Sequence, residues 1–138
     1  MSDGHADPPP RESGVIRGGF ALNVLPALIW AVAIFIGGGS GMPQPHLDTP
    51  WLSIDKLEHA LAFGGLQSLG VRALRYEMPG SSRAVLLWLA ALISVLAGIA
   101  LELYQLGLPD RSADVADAVA DAVGAVIAAT VLGRLRWP

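Results

Sequence analysis

The sequence contains no cysteine among its 138 residues, which excludes disulfide bridges, thiolate zinc sites and cysteine nucleophiles. It is also poor in charge, because only 15% of its residues are Asp, Glu, Lys or Arg, whereas about 25% is usual in soluble domains. With a net charge of -3 and no basic stripe, the chain lacks the positively charged surface with which proteins bind nucleic acids. Hydrophobic residues make up 53% of the chain, a composition typical of a membrane protein.

Four long apolar stretches predict four membrane-spanning helices. Residues 20–39 and 84–101 contain no charged side chain, and each is long enough as a helix to cross a hydrocarbon core of roughly 30 Å. Residues 57–74 and 115–132 are apolar except for polar side chains concentrated near their ends. We therefore predict an all-α membrane protein, a bundle of four transmembrane helices over residues 19–138. Residues 1–18, with three consecutive prolines and several charges, predict a mobile N-terminal tail.

The distribution of Lys and Arg predicts the orientation of the bundle. Of the nine such residues, only Lys56 and Arg111 lie in the first and third loop regions, and the others lie in the tail, the second loop region and the C-terminus. Because cytoplasmic loops of membrane proteins are enriched in Lys and Arg, both termini should be cytoplasmic, and the first and third loops should face outward.

Polar residues converge at the predicted outer end of the bundle. An alternating bundle brings together the start of the second helix, the end of the third and the start of the fourth. An ionised carboxylate in a span costs about 2.5–3.5 kcal/mol at the bilayer centre, so those at this end need partners. The candidate functional cluster consists of Asp55, Lys56, His59, Glu102, Gln105, Arg111, Asp117 and Asp121. It is either a ligand or reaction site in an outward polar cleft, or a structural network that locks the third loop onto the helix ends.

The fourth helix carries a stripe of polar and small residues that predicts its packing face. Asp117, Asp121, Gly124 and Ala128 recur at helical spacing, and Ala120 lies one turn before Gly124. Gly and Ala allow two helices to approach closely in a membrane. We therefore expect Gly124, Ala120 and Ala128 to pack against a neighbouring helix.

The chemistry of the cluster remains open at the level of sequence. A divalent cation held by His59, Glu102, Asp117 and Asp121 would have acceptable ligand types, but no metal-binding motif accompanies them, so we predict neither metal nor cofactor. General acid or base catalysis by His59 or Glu102 is chemically feasible in a desolvated cleft. Nothing in the sequence identifies a substrate, so whether the protein is an enzyme stays undecided.

Three blocks of the sequence resemble the VanZ-like family of small integral membrane proteins. The first is Asp55-Lys56-x-x-His59-x-x-x-Phe63, the second Glu102-x-x-Gln105-x-x-x-Pro109-x-Arg111, and the third Asp117, Asp121 and Gly124. Together the blocks follow the family's order over about residues 51–133. The resemblance implies a multi-pass protein of the bacterial inner membrane, and the founding member of the family is associated with low-level resistance to the glycopeptide teicoplanin.

The resemblance therefore implies a role in cell-envelope or glycopeptide tolerance, exercised by the outward polar cleft. Two alternatives remain. One is an enzyme that acts on a lipid-linked envelope precursor at the outer leaflet, and the other is a scaffold without a small-molecule site. The partners implied are the lipid bilayer and either such a precursor or a glycopeptide. Nothing in the sequence indicates an oligomeric state.

Overall fold

The described residues of the chain are entirely helical apart from short connections. The computed structural model describes residues 19–40, 54–109 and 114–135. Their helices are α1 (Phe20–Asn23), α2 (Leu25–Gly39), α3 (Ile54–Glu77), α4 (Arg83–Gln105) and α5 (Val115–Arg134). The predicted all-α class is confirmed for these ranges. The predicted mobile tail, residues 1–18, lies outside them.

The prediction of one continuous helix over residues 20–39 is wrong at Val24. There the chain makes a turn between α1 and α2, and Pro26 lies in the first turn of α2. Proline has no backbone N–H and favours the start of a helix over its interior. The side chain of Asn23 folds back to donate to the carbonyl oxygen of Gly19 at 3.1 Å, and it accepts a hydrogen bond from Arg72 of α3 at 3.3 Å.

The other three helices extend beyond the apolar stretches that predicted them. Helix α3 begins three residues before residue 57 and α4 ends four residues after residue 101. These extensions carry polar side chains, and Glu102 and Gln105 are buried within the bundle. A prediction from hydropathy alone ends a helix at its first charged residue. In a membrane protein, the helix can continue past that residue when the charged side chain faces other helices and not lipid.

Within the described residues, two helices are long and apolar enough to cross a membrane. They are α4, with a mean hydropathy of 2.6, and α5, with 1.9. Only 28% and 22% of their most apolar windows are buried, so neither resembles the enclosed core helix of a water-soluble protein. Helix α2 is apolar but shorter, with 15 residues. The length and composition of α4 and α5 thus indicate a membrane protein.

Several polar side chains lie inside the bundle beside a small apolar core, and many large apolar side chains lie outside it. Trp88 is 76% exposed, and many Leu, Ile and Val side chains share this outward position. The buried polar and charged residues are Asn23, Gln67, Ser94, Glu102, Gln105, Asp117 and Asp121. Soluble proteins rarely show this arrangement, whereas in a bilayer apolar side chains face lipid and polar ones face the bundle interior.

Helices α3 and α5 approach each other closely at Gly124. A Cβ atom placed on Gly124 would lie 2.7 Å from both the Cα and the carbonyl carbon of Ala60, and nearer still to its oxygen. On the same contact, Ala128 lies beside Gly64, and Ala120 is half-buried one turn earlier. Only a residue without a side chain allows this contact between two backbones. This approach brings the first turns of α3 and α5 side by side.

Candidate functional site

Lys56 links the first turn of α3 to the start of α5. Its ammonium nitrogen Nζ donates to Asp117 Oδ1 at 2.7 Å and to Asp114 Oδ2 at 3.0 Å. The side chains of Lys56 and Asp117 are almost buried, at 12% and 11% exposure, whereas Asp114 is 51% exposed. The ammonium therefore neutralises a carboxylate that is largely shielded from water.

Asp114 connects the start of α5 to the end of α4. Its carboxylate accepts a hydrogen bond from the Ala116 N–H at 2.8 Å and so caps α5. Its own backbone N–H donates to Glu102 Oε2 at 2.8 Å. The Ala116 N–H and the Lys56 ammonium hold the pKa of the Asp114 carboxyl below its usual range. These contacts stabilise the fold above the ordinary carboxyl pKa and are lost as the pH falls through the lowered pKa.

His59 pairs with the most deeply buried carboxylate of this end. Its Nδ1 lies 2.8 Å from Oδ1 of Asp121, which is 1% exposed, and its Nε2 lies 4.0 Å from Asp117 Oδ2. An ionised carboxylate can only accept a hydrogen bond, so Nδ1 is the donor in this pair. Asp121 thus orients the imidazole ring and selects its tautomer.

Two buried carboxylate oxygens in the cluster have no hydrogen-bond partner among the described residues. They are Oδ2 of Asp121 and Oε1 of Glu102. Donor atoms of His59, Glu102 and Asp121 lie within 4.8 Å of one another. A second group, made of Asp55, His59 and Asp117, meets the same distance limit. Both groups have the residue types that hold divalent cations in proteins.

A cleft of about 260 Å³ opens beside this cluster, between α2, α3 and α4. Helix α2 supplies an apolar wall, and Gln105 of α4 donates to the Gly38 carbonyl oxygen at 3.0 Å. Trp30 holds the same wall to α3 through a hydrogen bond from its indole N–H to the Ala62 oxygen at 2.8 Å. The lining residues are Trp30, Ala33, Ile34, Gly37, Gly38, Asp55, Glu58, His59, Ala62, Phe63, Leu101 and Gln105.

The structure brings seven of the eight residues of the predicted cluster to one end of the bundle. They are Asp55, Lys56, His59, Glu102, Gln105, Asp117 and Asp121. The eighth, Arg111, lies outside the described residues. Sequence reasoning did not identify Asp114, although an Asp just before a helix is a recognised capping signal. It also missed Glu58 and the α2 wall, whose apolar residues carry no chemical signature.

Comparison with known proteins assigns the family. The chain matches the family model of VanZ/LLP1 over residues 19–136, which include all the helices described above. No curated protein and no solved structure matches the chain significantly. The resemblance drawn from the three sequence blocks is therefore confirmed by a match over nearly the whole chain, and the protein belongs to the VanZ/LLP1 family.

Proposed function

We propose that this protein crosses the bacterial inner membrane four times and confers tolerance to glycopeptides such as teicoplanin through its cleft. The observation that carries the proposal is the composition of the cleft, which joins an apolar wall on α2 to the polar side chains of Asp55, Glu58 and His59 on α3. Such a cleft suits an amphipathic molecule at the membrane surface, with its apolar part against α2 and its polar part against α3. Membership of the VanZ/LLP1 family supports the same role.

The distribution of charge supports an outward orientation of the cleft. Arg72, Arg75, Arg83 and Arg134 lie toward the end of the bundle opposite the acidic cluster. At that end the Arg83 guanidinium donates to the carbonyl oxygens of Leu132 and Leu135 as α5 ends. A basic end favours the cytoplasmic side of the membrane, which leaves the cleft on the outer side.

The orientation can be tested with single cysteines, because the native chain has none. Cysteine at Asp110, which lies between α4 and α5 in the sequence, should react with a membrane-impermeant maleimide in intact spheroplasts. Cysteine at Gly80, whose Cβ would meet nothing within 4 Å, should react only after the membrane is permeabilised. The unmodified protein is the control for background labelling. The reverse labelling pattern would refute the orientation.

Tolerance can be tested by expressing the protein in a teicoplanin-susceptible host. The wild type should raise the minimal inhibitory concentration several-fold, and His59→Gln should return it to the level of the empty vector, because His59 lies in the cleft wall. Glu77→Gln, at the exposed opposite end of the same helix, is the matched control and should keep full tolerance. Immunoblots of membranes must show equal protein levels. A wild type no better than the vector would contradict the proposal.

The pairing of His59 with Asp121 favours a second candidate, an enzyme that acts on a lipid-linked envelope precursor. A histidine whose Nδ1 proton is held by a buried carboxylate presents Nε2 as a general base, and His59 lines the cleft. Turnover of a lipid-linked precursor by the purified protein, lost in His59→Gln, would favour the enzyme. Tolerance that survives His59→Gln without any turnover would favour a scaffold instead.

A further inference from the structure

The carboxylates of Asp121 and Glu102 are buried together without enough hydrogen-bond donors. Asp121 uses Oδ1 to bind His59, and Glu102 uses Oε2 to accept from the Asp114 N–H. The second oxygen of each is buried and has no partner among the residues that the structure describes. A buried carboxylate oxygen without a donor is costly, so the two oxygens point to a missing positive group.

The unpartnered oxygen of Asp121 points toward the face of α4 that carries Glu102. Asp121 Oδ2 lies only 2.7 Å from the position of a Cβ atom built on Gly98. Gly98 and Glu102 are one helical turn apart on α4 and therefore share a face. Glycine at residue 98 thus leaves the space into which Asp121 extends toward Glu102.

The three side chains are spaced closely enough to share one ion. Donor atoms of His59, Glu102 and Asp121 lie within 4.8 Å of one another. Ligand atoms bound at about 2.1 Å to one tetrahedral zinc ion are about 3.4 Å apart, so closing the site requires shifts of up to roughly an ångström. Rotation of the side chains supplies such a shift.

The nearby ammonium group of Lys56 pairs with carboxylates other than those of Glu102 and Asp121. Lys56 donates to Asp114 and Asp117, and within the described residues neither Glu102 Oε1 nor Asp121 Oδ2 accepts a hydrogen bond from its ammonium. The competing group of Asp55, His59 and Asp117 already includes a carboxylate that this ammonium neutralises. Unmet negative charge is therefore concentrated at Glu102 and Asp121.

We propose that His59, Glu102 and Asp121 bind one divalent transition-metal ion at the buried edge of the cleft. One imidazole and two carboxylates form a mixed nitrogen and oxygen donor set, which suits Zn²⁺ or Mn²⁺ better than Mg²⁺ or Ca²⁺, which prefer oxygen alone. The site goes beyond the proposed function, since an ion here would organise the cleft of a tolerance protein. It would also occupy the lone pair that the enzyme alternative assigns to His59 as a general base, so a bound ion argues against that role for His59.

Direct metal binding by the purified full-length protein tests this site. The protein in detergent is stripped with a chelator, equilibrated with Zn²⁺ or Mn²⁺, and assayed by elemental analysis and titration calorimetry. Glu102→Gln and Asp121→Asn each keep an oxygen that can accept the existing hydrogen bond, so both should fold. Circular dichroism and size-exclusion profiles check this, and His59→Gln is a third, independent variant.

The wild type should bind one ion per chain of at least one of the two metals. Each of the three variants should lose at least about 100-fold in affinity, because even outer-shell partners of a metal contribute about 10- to 100-fold. Glu77→Gln, which removes an exposed carboxylate far from the site, should bind as the wild type does. Asp55→Asn should also retain the ion.

Two results would overturn the proposal. One is a wild type that binds neither metal more tightly than Asp121→Asn does. The other is loss of the ion in Asp55→Asn with retention in Glu102→Gln, which would place it in the competing group. Neither result depends on glycopeptide tolerance or lipid turnover, so failure of the metal site and failure of the proposed function are separate observations.

Discussion

Replacing Gly124 with alanine is expected to destabilise the bundle more than any other single methyl group added to α5. The new Cβ would lie 2.7 Å from the Cα and the carbonyl carbon of Ala60, and both are backbone atoms that cannot rotate away. Overpacking costs about 1–3 kcal/mol, and a clash with backbone belongs at the upper end of that range. The gain in helix propensity from Gly to Ala is only about 1 kcal/mol. We therefore expect a net loss of about 2 kcal/mol.

The matched control is Gly133→Ala on the same helix. A Cβ at Gly133 would meet only Leu87 Cδ1, at an ordinary contact distance of 3.9 Å, so this variant should be neutral or slightly stabilised. Both variants should be compared by reversible unfolding in mixed detergent micelles. Equal stability of Gly124→Ala and Gly133→Ala would show that α3 and α5 do not pack through Gly124.

The apolar stretches of the sequence were sufficient to predict where the long helices lie, and the spacing of polar residues predicted which face of α5 is polar. Residues 115–132 predicted α5 nearly to its ends, because this stretch is apolar apart from a few polar side chains and the charged Asp117 and Asp121 lie in its first two turns. Pro26 is a helix-start signal inside an apolar stretch and could have indicated the break at Val24. The uniform hydrophobicity of residues 20–39 instead led to the prediction of one continuous helix.

The individual pairings in the cluster could not be read from the sequence. Spacing places Asp117 and Asp121 on one face of α5, but either could accept from Lys56 or from His59. The choice depends on the relative height of α3 and α5, which the contact of Gly124 with Ala60 sets. In that register Asp117 pairs with Lys56, and Asp121 pairs with His59. The apolar α2 wall of the cleft could not be predicted from the sequence either, because its residues differ little from those that face lipid.

Lys56→Met is expected to cause the largest loss of stability among substitutions in the cluster. Methionine keeps much of the side-chain volume but leaves the carboxylate of Asp117, which is 11% exposed, without its cation. Removal of one partner from a buried ion pair costs about 3–5 kcal/mol, whereas replacing both partners with neutral groups costs far less. Lys56→Met combined with Asp117→Asn should therefore be more stable than Lys56→Met alone. Arg134→Met removes an exposed cation and should change the free energy of unfolding by less than about 0.5 kcal/mol.

The two carboxylates that Lys56 contacts should couple to it unequally. Asp117 lies 2.7 Å from the ammonium and is nearly buried, whereas Asp114 lies 3.0 Å away and is 51% exposed. Exposed ion pairs contribute about 0.2–1 kcal/mol because water screens them, and coupling within a buried network reaches about 3 kcal/mol. Double-mutant cycles with Asp117→Asn and Asp114→Asn should therefore give the larger coupling energy for Asp117. Equal coupling, or a larger value for Asp114, would mean that the Lys56 ammonium points to the loop in solution and that Asp117 is neutralised by another group.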